Sequence, residues 1–278
     1  MIKQKITVQD LLQIKQGVKF KNPLIHCITN PISINDCANM VLATGAKPIM
    51  AEHPLEVAEI TSMANALAIN LGNITDVRME SMLISGKVAL KNKIPQVIDL
   101  VGTACSTLRL NYAKKFISQC KPNVIKGNMS EIKAIYGVEN NSKGIDVGVK
   151  DIINKNNIDE NVKILNSLAK QTKAIVVATG VVDIITDEKD TYLIKNGCEM
   201  LSMITGTGCM LNTLIGSFIS SKNILEGTIL ATALMGICGE LSENDRGTGT
   251  FKTRLLDNMF SISDNTIIEK IIYELVSL

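Results

Sequence analysis

A glycine-rich turn that leads straight into an apolar segment is the stretch from which the fold can be worked out. Residues 204–209 read Ile-Thr-Gly-Thr-Gly-Cys, and residues 210–216 continue as Met-Leu-Asn-Thr-Leu-Ile-Gly. Glycine permits a tight turn because it has no Cβ, and a helix that follows begins with unpaired N–H groups at its positive end. The pattern predicts an anion site, such as one for a phosphoryl group, with Cys209 beside it. An ordinary loop that contains glycine remains an equal alternative on this motif alone.

Apolar, strand-like runs alternate with helix-like segments over most of the chain. Strands are predicted at residues 23–28, 47–50, 66–71, 96–100, 123–126 and 174–179, with helices between most of them. Uninterrupted apolar strands of this kind are typical of a parallel sheet covered by helices on both faces. Right-handed crossovers place the carboxyl ends of such strands at one edge. We therefore expect a single α/β domain over residues 1–278, with three layers and a mostly parallel central sheet.

Three further segments complete the predicted organisation. The first helix is expected to run from Thr7 to Gly17, and residues 138–157 are expected to be a loop around one short helical turn. Residues 183–186 and 191–195 predict a hairpin. After Cys209 the remainder is predicted to be helical.

Composition and charge exclude several classes of protein. The 29 basic and 27 acidic residues leave a net charge of +2, and the lysines are scattered, which argues against nucleic acid as the main partner. The most apolar window, residues 229–238, is too short to span a bilayer and predicts a buried helix. The seven cysteines form no Cys-x-x-Cys pair, and there are only two histidines. This favours a reducing, cytoplasmic protein with neither disulfides nor a multi-histidine metal site.

Polar residues follow or end several of the predicted strands, where ligands bind in such folds. Asp99 and Glu131 are candidates for holding Mg²⁺, although an acid in the position of Glu131 more commonly complements a helix N-terminus. Lys126 is a candidate phosphate contact or a solvated lysine, and Thr179 a phosphate contact or a turn cap. Asn30 is either a contact for a small polar ligand or a simple turn residue.

Five blocks of sequence resemble the hydroxyethylthiazole kinase family of the ribokinase-like superfamily. They lie at residues 22–30, 45–51, 126–132, 178–183 and 205–209, in the family's order, and span nearly the whole chain. The resemblance implies a ribokinase-like fold. It also implies transfer of the γ-phosphate of ATP to the hydroxyl of 4-methyl-5-(2-hydroxyethyl)thiazole, a salvage step in thiamine biosynthesis.

The resemblance also implies roles for particular residues. The anion-hole turn of the family matches Gly206, Thr207 and Gly208, and the position of the family's catalytic base matches Cys209. Thiazole contacts fall on Asn30, Met50 and Gly206, nucleotide contacts on Lys126 and Thr179, and Mg²⁺ carboxylates on Asp99 and Glu131. Family members are typically homotrimers with the thiazole pocket between subunits. We further expect the helix N-terminus to lower the pKa of Cys209.

Two departures from the family pattern keep other functions open. The family's Asp-Pro-Val-Gly reads Asp-Leu-Val-Gly at residues 99–102, which removes a backbone constraint, and the nucleotide-contacting arginine of many relatives is Lys126. Lysine retains the charge but loses bidentate geometry. The alternatives are another ribokinase-like activity, such as a hydroxymethylpyrimidine kinase or a nucleotide-dependent hydratase, and a non-catalytic protein that binds nucleotide or thiazole.

Overall fold

A nine-stranded sheet forms the centre of the molecule. The computed structural model describes residues 6–138, 148, 151, 153 and 157–276, so most of the loop predicted at residues 138–157 lies outside the described residues. The strands are β1 (Leu24–Ile28), β2 (Lys47–Ile49), β3 (Ala66–Asn70), β4 (Gln96–Asp99), β5 (Val124–Asn128), β6 (Ile175–Thr179), β7 (Asp183–Thr186), β8 (Thr191–Ile194) and β9 (Tyr273–Val276). Their order is β2-β1-β3-β4-β5-β6-β7-β8-β9.

The first six strands pair in parallel and the last three pairs are antiparallel. The helices are α1 (Val8–Lys21), α2 (Ile34–Ala43), α3 (Val57–Met63), α4 (Asp76–Asn92), α5 (Thr107–Cys120), α6 (Met129–Tyr136), α7 (Ile158–Thr172), α8 (Thr207–Ile219), α9 (Ile224–Ser242), α10 (Thr248–Ser261) and α11 (Asp264–Lys270). Helices α1, α2, α8, α9 and α10 share one apolar core with one face of the sheet, and α4 to α7 share a second core with the other. The predicted three-layer α/β fold is confirmed.

Two predicted elements are wrong in extent or type. Helix α1 continues past Gly17 to Lys21 and ends at Asn22, which has a left-handed φ of 46°. The chain after Cys209 is not entirely helical, because β9 forms an edge strand of the sheet and pairs antiparallel with β8. That pairing joins residues about 80 positions apart, so local sequence periodicity carries no signal for it.

The long apolar helix α9 is part of the core. It has 19 residues, so it exceeds the predicted ten-residue window, and by length and composition it could cross a membrane. However, 72% of its most apolar window is buried inside the fold, where it packs against α8, α10 and α1. The prediction of a buried helix is confirmed.

Helix α8 lies unusually close to the sheet, and this positions its first turn. A Cβ built at Gly216 would lie 3.2 Å from Cβ of Ala68 on β3 and 3.3 Å from Ile25 on β1. One turn after Cys209, Nδ2 of Asn212 donates to the carbonyl of Ile69, 3.0 Å away. The helix therefore runs antiparallel to β3, and its N-terminus lies over the carboxyl ends of the strands.

Candidate active site

Three polar side chains form a row across neighbouring parallel strands. Asn70 pairs in register with Asp99, and Asp99 pairs with Lys126. Oδ2 of Asp99 accepts hydrogen bonds from Nδ2 of Asn70 and Nζ of Lys126, each at 2.9 Å. Side chains alternate along a strand, so this row shares the sheet face that α8 covers. We call Asn70, Asp99 and Lys126 the polar row.

The polar row is buried, and its charges act on one another strongly. The side chains of Lys126 and Asp99 are 4% and 1% exposed. Burial raises the pKa of Asp99, although the ammonium of Lys126 opposes this. Burial acts to lower the pKa of Lys126, but the charge of Asp99 and its hydrogen bond raise it overall. Lys126 therefore carries its charge at neutral pH.

Glu131 is held by backbone N–H groups at the start of α6. Its Oε2 accepts from the N–H of Asn128 and its Oε1 from the N–H of Gly102, each at 2.8 Å, while Oδ1 of Asn128 accepts from the N–H of Glu131. This is the reciprocal capping box that complements a helix N-terminus. Burial, followed by the charge of Asp99, raises the pKa of Glu131 to about 7.

The two carboxylates fit a magnesium ion bound largely through water. After burial, the charge of Asp99 is the next cause of the raised pKa of Glu131, so the two carboxyl groups lie close enough to influence each other. Within the described ranges, no group of three or more His, Cys, Asp or Glu side chains could hold a metal ion. Mg²⁺ commonly binds through one or two carboxylates, several waters and substrate phosphates, and Asp99 with Glu131 is a donor set of that kind.

The predicted glycine turn is present at the start of α8. Gly206 is the N-cap residue with a left-handed φ of 91°, and the N–H of Met210 donates to its carbonyl at 2.8 Å. The N–H groups of Thr207, Gly208 and Cys209 precede this first helical bond. Oγ1 of Thr207 donates to the carbonyl of Leu201 at 2.9 Å, so its hydroxyl is engaged away from the turn's amides. Thr207 can therefore contribute its backbone N–H, but not its hydroxyl, to an anion site at this turn.

The first turn of α8 meets the polar row. A Cβ built at Gly208 would lie 3.4 Å from Nζ of Lys126. Cys209 is buried, and the charges of Asp99 and Lys126 both act on the pKa of its thiol. The glycine turn, the thiol, the carboxylate of Asp99 and the ammonium of Lys126 therefore share one small region.

The expected direction of the Cys209 pKa is wrong. Burial, followed by the negative charge of Asp99, raises the pKa of Cys209, although Ser33, Lys126 and Asn70 act to lower it. A helix N-terminus favours a thiolate by a partial charge, whereas a nearby buried carboxylate disfavours it by a full one. The thiol is therefore mainly protonated at neutral pH.

The remaining predicted contacts lie at the same edge of the sheet. Asn30 caps the 3₁₀ turn Pro31–Ser33, and its Oδ1 accepts from the N–H of Ile32 at 3.1 Å. Met50 follows β2 and is half-buried against the core. Thr179 ends β6 in register with Asn128 of β5, and its hydroxyl donates weakly to the carbonyl of Gly127 at 3.4 Å. The 3₁₀ turn also reaches α8, because a Cβ at Gly206 would lie 2.9 Å from Cβ of Ser33.

Three features of the site were not assigned roles from the sequence. Asn70 and Ser33 both act to lower the pKa of Cys209, and only the strand-end position of Asn70 marks it in the sequence. The third is Leu100, whose N–H donates to the carbonyl of Lys126 at 2.8 Å. Proline has no N–H, so leucine at this position adds a bond between β4 and β5 instead of only removing a constraint.

Comparison with known proteins gives consistent matches over nearly the whole chain. A model of the Hydroxyethylthiazole kinase family matches residues 15–265. Hydroxyethylthiazole kinase 2 of Clostridium botulinum (strain Hall) is 70% identical over 260 residues, which cover 94% of this chain and 98% of that protein.

Solved structures agree with these sequence matches. A hydroxyethylthiazole kinase protein from Pyrococcus horikoshii OT3 superposes with a TM-score of 0.87 at 30% identity, covering 97% of this chain and 100% of the other. A ribokinase-like superfamily protein from Enterococcus faecalis V583 gives a TM-score of 0.58 at 11% identity, with 87% and 88% covered, and shows likeness of fold alone.

Proposed function

The chain belongs to the hydroxyethylthiazole kinase family, and we propose that it transfers the γ-phosphate of ATP to the hydroxyl of 4-methyl-5-(2-hydroxyethyl)thiazole, here called the thiazole alcohol. The product is the thiazole phosphate used in thiamine biosynthesis. The observation that carries the proposal is the meeting of the α8 glycine turn with the polar row and Cys209. Phosphoryl transfer depends mainly on positioning and charge stabilisation, and these groups supply both.

The backbone of the glycine turn is the anion site of the proposal. The N–H groups of Thr207, Gly208 and Cys209 precede the helical ladder and lie at the positive end of α8. Gly206 provides the left-handed turn that aims them at one point. Negative charge that develops on the transferring phosphoryl group is stabilised there without reorganisation of the protein.

Asp99 and Glu131 would hold Mg²⁺, which would neutralise phosphate charge when it is bound. Lys126 lies beside Asp99 and the turn, so its ammonium is assigned to the phosphates. We assign Lys126 and the exposed part of Thr179 to the nucleotide. Because Lys126 is already paired with Asp99, its contact with a phosphate is a single point charge, not the two-pronged contact of an arginine.

We assign Cys209 to the proton of the thiazole alcohol. Its raised pKa means that the thiol is mostly protonated in the resting protein, so it either first releases its proton to water and then accepts the proton of the hydroxyl, or stays protonated and orients the hydroxyl by hydrogen bonding. No covalent phosphoenzyme is needed, because the hydroxyl attacks the γ-phosphorus directly.

The thiazole ring is assigned to Asn30, Met50 and Gly206. We propose a cytoplasmic homotrimer in which Asn30 and Met50 of one subunit face Gly206 and Cys209 of a neighbouring subunit. Within one chain, Ser33 already lies against Gly206, so part of the pocket wall belongs to a single subunit. The whole chain would act as one kinase domain.

The test is product analysis with paired substrates. The purified chain is incubated with ATP, with and without Mg²⁺, and with either the thiazole alcohol or hydroxymethylpyrimidine. Mass spectrometry should find the phosphorylated thiazole only when Mg²⁺ is present. Phosphorylation of hydroxymethylpyrimidine alone would favour the alternative kinase, and a thermal shift with the thiazole alcohol but no ADP would favour a binding protein. Light scattering coupled to size exclusion tests the trimer, which a fully active monomer would contradict.

A further inference from the structure

Arg78 is a buried arginine that has no role in the function proposed above. It belongs to the first turn of α4, and its side chain is only 7% exposed. Its Nε and Nη2 lie 2.9 and 2.8 Å from Oε2 of Glu52, and its Nη1 donates to the carbonyl of Asn73 at 3.1 Å. The donors of a guanidinium are fixed in one plane, so Arg78 holds these two partners at a set separation.

Glu52 belongs to residues 50–52, which follow β2 and which we call the Met50 segment after the candidate thiazole contact that begins it. The backbone of this segment is fixed at two points. Oγ of Ser81 donates to the carbonyl of Glu52 at 2.7 Å, and Nε2 of the buried His26 donates to the carbonyl next to it at 2.9 Å. These bonds tie the Met50 segment to α4 and β1, but neither of them reaches Asn73.

Asn73 belongs to residues 71–73, which follow β3 and which we call the Gly72 turn. A Cβ built at Gly72 would lie 2.5 Å from Nδ2 of Asn30, so the backbone of the turn lies directly against the amide of a second candidate thiazole contact. Asn73 has a left-handed φ of 48°, and its carbonyl is the one that Arg78 holds. A shift of the Gly72 turn would therefore displace the side chain of Asn30.

We infer that Arg78 is a positioning residue for the thiazole alcohol, whose guanidinium fixes the Met50 segment relative to the Gly72 turn that supports Asn30. The inference rests on the proposed function, in which Met50 and Asn30 are assigned to the thiazole ring. Arg78 acts through these two segments and does not itself contact the substrate. Its loss should therefore weaken binding of the thiazole alcohol and spare the chemical step, which depends on the glycine turn and the polar row.

Steady-state kinetics and calorimetric titration of Arg78→Met test this role. The substitution removes the donors, and the carboxylate of Glu52 stays hydrated because its side chain is 43% exposed. KM and Kd for the thiazole alcohol should rise about five- to thirtyfold, the effect of losing a charged hydrogen bond with one partly exposed partner. In contrast, kcat and the Kd for ATP should change by less than about threefold, as expected when only substrate binding is lost.

Glu52→Gln tests whether the bond between Glu52 and Arg78 is responsible. This substitution should raise KM for the thiazole alcohol about fivefold or more in the otherwise unchanged chain, but less than about twofold in the Arg78→Met background, because partners in one network are not additive.

Lys15→Met is the matched control. Lys15 also bonds to both a carboxylate and a backbone carbonyl, those of Asp264 at 2.7 Å and Ile262 at 3.0 Å. It joins α1 to α11 and the residue before it, and neither helix carries a residue assigned to the candidate site. Lys15→Met should change KM for the thiazole alcohol by less than about twofold, since distant and independent sites do not couple.

Thermal unfolding checks each variant, and Glu52→Gln alone decides if Arg78→Met does not fold. The positioning role would be overturned, with the kinase activity intact, by an unchanged KM for the thiazole alcohol, by a fall in kcat without a rise in KM, or by an equal rise in KM in the Lys15→Met control. An equal effect of Glu52→Gln in both backgrounds would overturn it as well. A wild-type chain that phosphorylates no thiazole alcohol would overturn the proposed function, and the positioning role with it.

Discussion

Nζ of Lys126 lies 2.9 Å from Oδ2 of Asp99, and both side chains are almost completely buried between neighbouring parallel strands. Asp99 ends β4, Lys126 lies two residues before the end of β5, and the pair lies under the first turn of α8. A buried ion pair contributes little net stability compared with apolar residues, but removal of one partner leaves an uncompensated charge. Loss of either partner should therefore disturb both the stability of the fold and the electrostatics of the site.

The first prediction concerns this ion pair. Lys126→Met should lower the free energy of unfolding by about 3 to 5 kcal/mol at neutral pH, because Asp99 then lacks its counterion. The loss should shrink in acid, where Asp99 takes up a proton. Urea unfolding measures both effects. Lys173→Met is the control, since Lys173 and Glu188 form a pair of the same length, 2.9 Å, in which the lysine is 73% exposed. Equal losses in the two variants would contradict this interpretation.

The second prediction separates backbone strain from contact at the glycine turn. Gly206 and Gly137 have nearly equal φ values, 91° and 92°, but only a Cβ on Gly206 would meet another atom within 4 Å, on Ser33. Gly137→Ala should lose about 1 to 2 kcal/mol of stability from backbone strain, and Gly206→Ala should lose more, because its Cβ would also press on Cβ of Ser33. Only Gly206→Ala should also lower kcat, by about tenfold or more, because the turn's N–H donors move. Steady-state kinetics with the thiazole alcohol decides, and an equal kcat in both variants would count against the anion site.

The third prediction concerns Cys209. Cys209→Ala should lower kcat by roughly a hundred- to ten-thousand-fold, as expected for loss of a general base, without loss of ATP binding. Cys209→Asp should retain or raise activity, because a carboxylate is a ready proton acceptor and Lys126 lies near enough to balance its charge. Kinetics and ATP titration of the two variants form the measurement. If both are equally inactive while binding ATP, the thiol does something other than accept a proton.

The fourth prediction is a pH dependence of stability that arises from Glu131. Its pKa is raised from 4.5 to about 7, so between these values the folded state binds more protons than the unfolded state. The free energy of unfolding therefore falls as pH rises through this range. Urea unfolding in the presence of a chelator should show a shallower fall for Glu131→Gln than for the wild type. Glu59→Gln, at an exposed position on α3, is the control and should follow the wild-type curve. A Glu131→Gln slope that matches the wild type would refute the assignment.

The fifth prediction concerns the departure from the family pattern at Leu100. Leu100→Pro removes the N–H that donates to the carbonyl of Lys126, so we expect a loss of about 1 to 3 kcal/mol in stability. Leu100→Ile retains the N–H and a similar volume, and should lose less than about 1.5 kcal/mol. Thermal and urea unfolding compare the two. A proline variant as stable as the isoleucine variant would show that the bond contributes little.

Much of the fold follows from local patterns in the chain. Apolar runs of strand length between helical segments predict a parallel sheet, and the carboxyl ends of its strands must share an edge. For that reason Asp99, Lys126 and Thr179 could be placed at one edge before their contacts were known. Strand β9 could not be predicted in the same way, because its pairing with β8 depends on a distant part of the chain.

The sequence by itself determined the layers, the parallel strands, the glycine turn and the edge at which the polar residues gather, because these depend on periodicity and on backbone chirality. Tertiary structure alone decided that Lys126 pairs with Asp99, that Asn70 donates to the same carboxylate oxygen, and that the pKa of Cys209 rises. These outcomes depend on which side chains α8 brings together at its close approach to β3. They depend also on the exclusion of water there, since burial changes the free energy of a charge more than the dipole of one helix does.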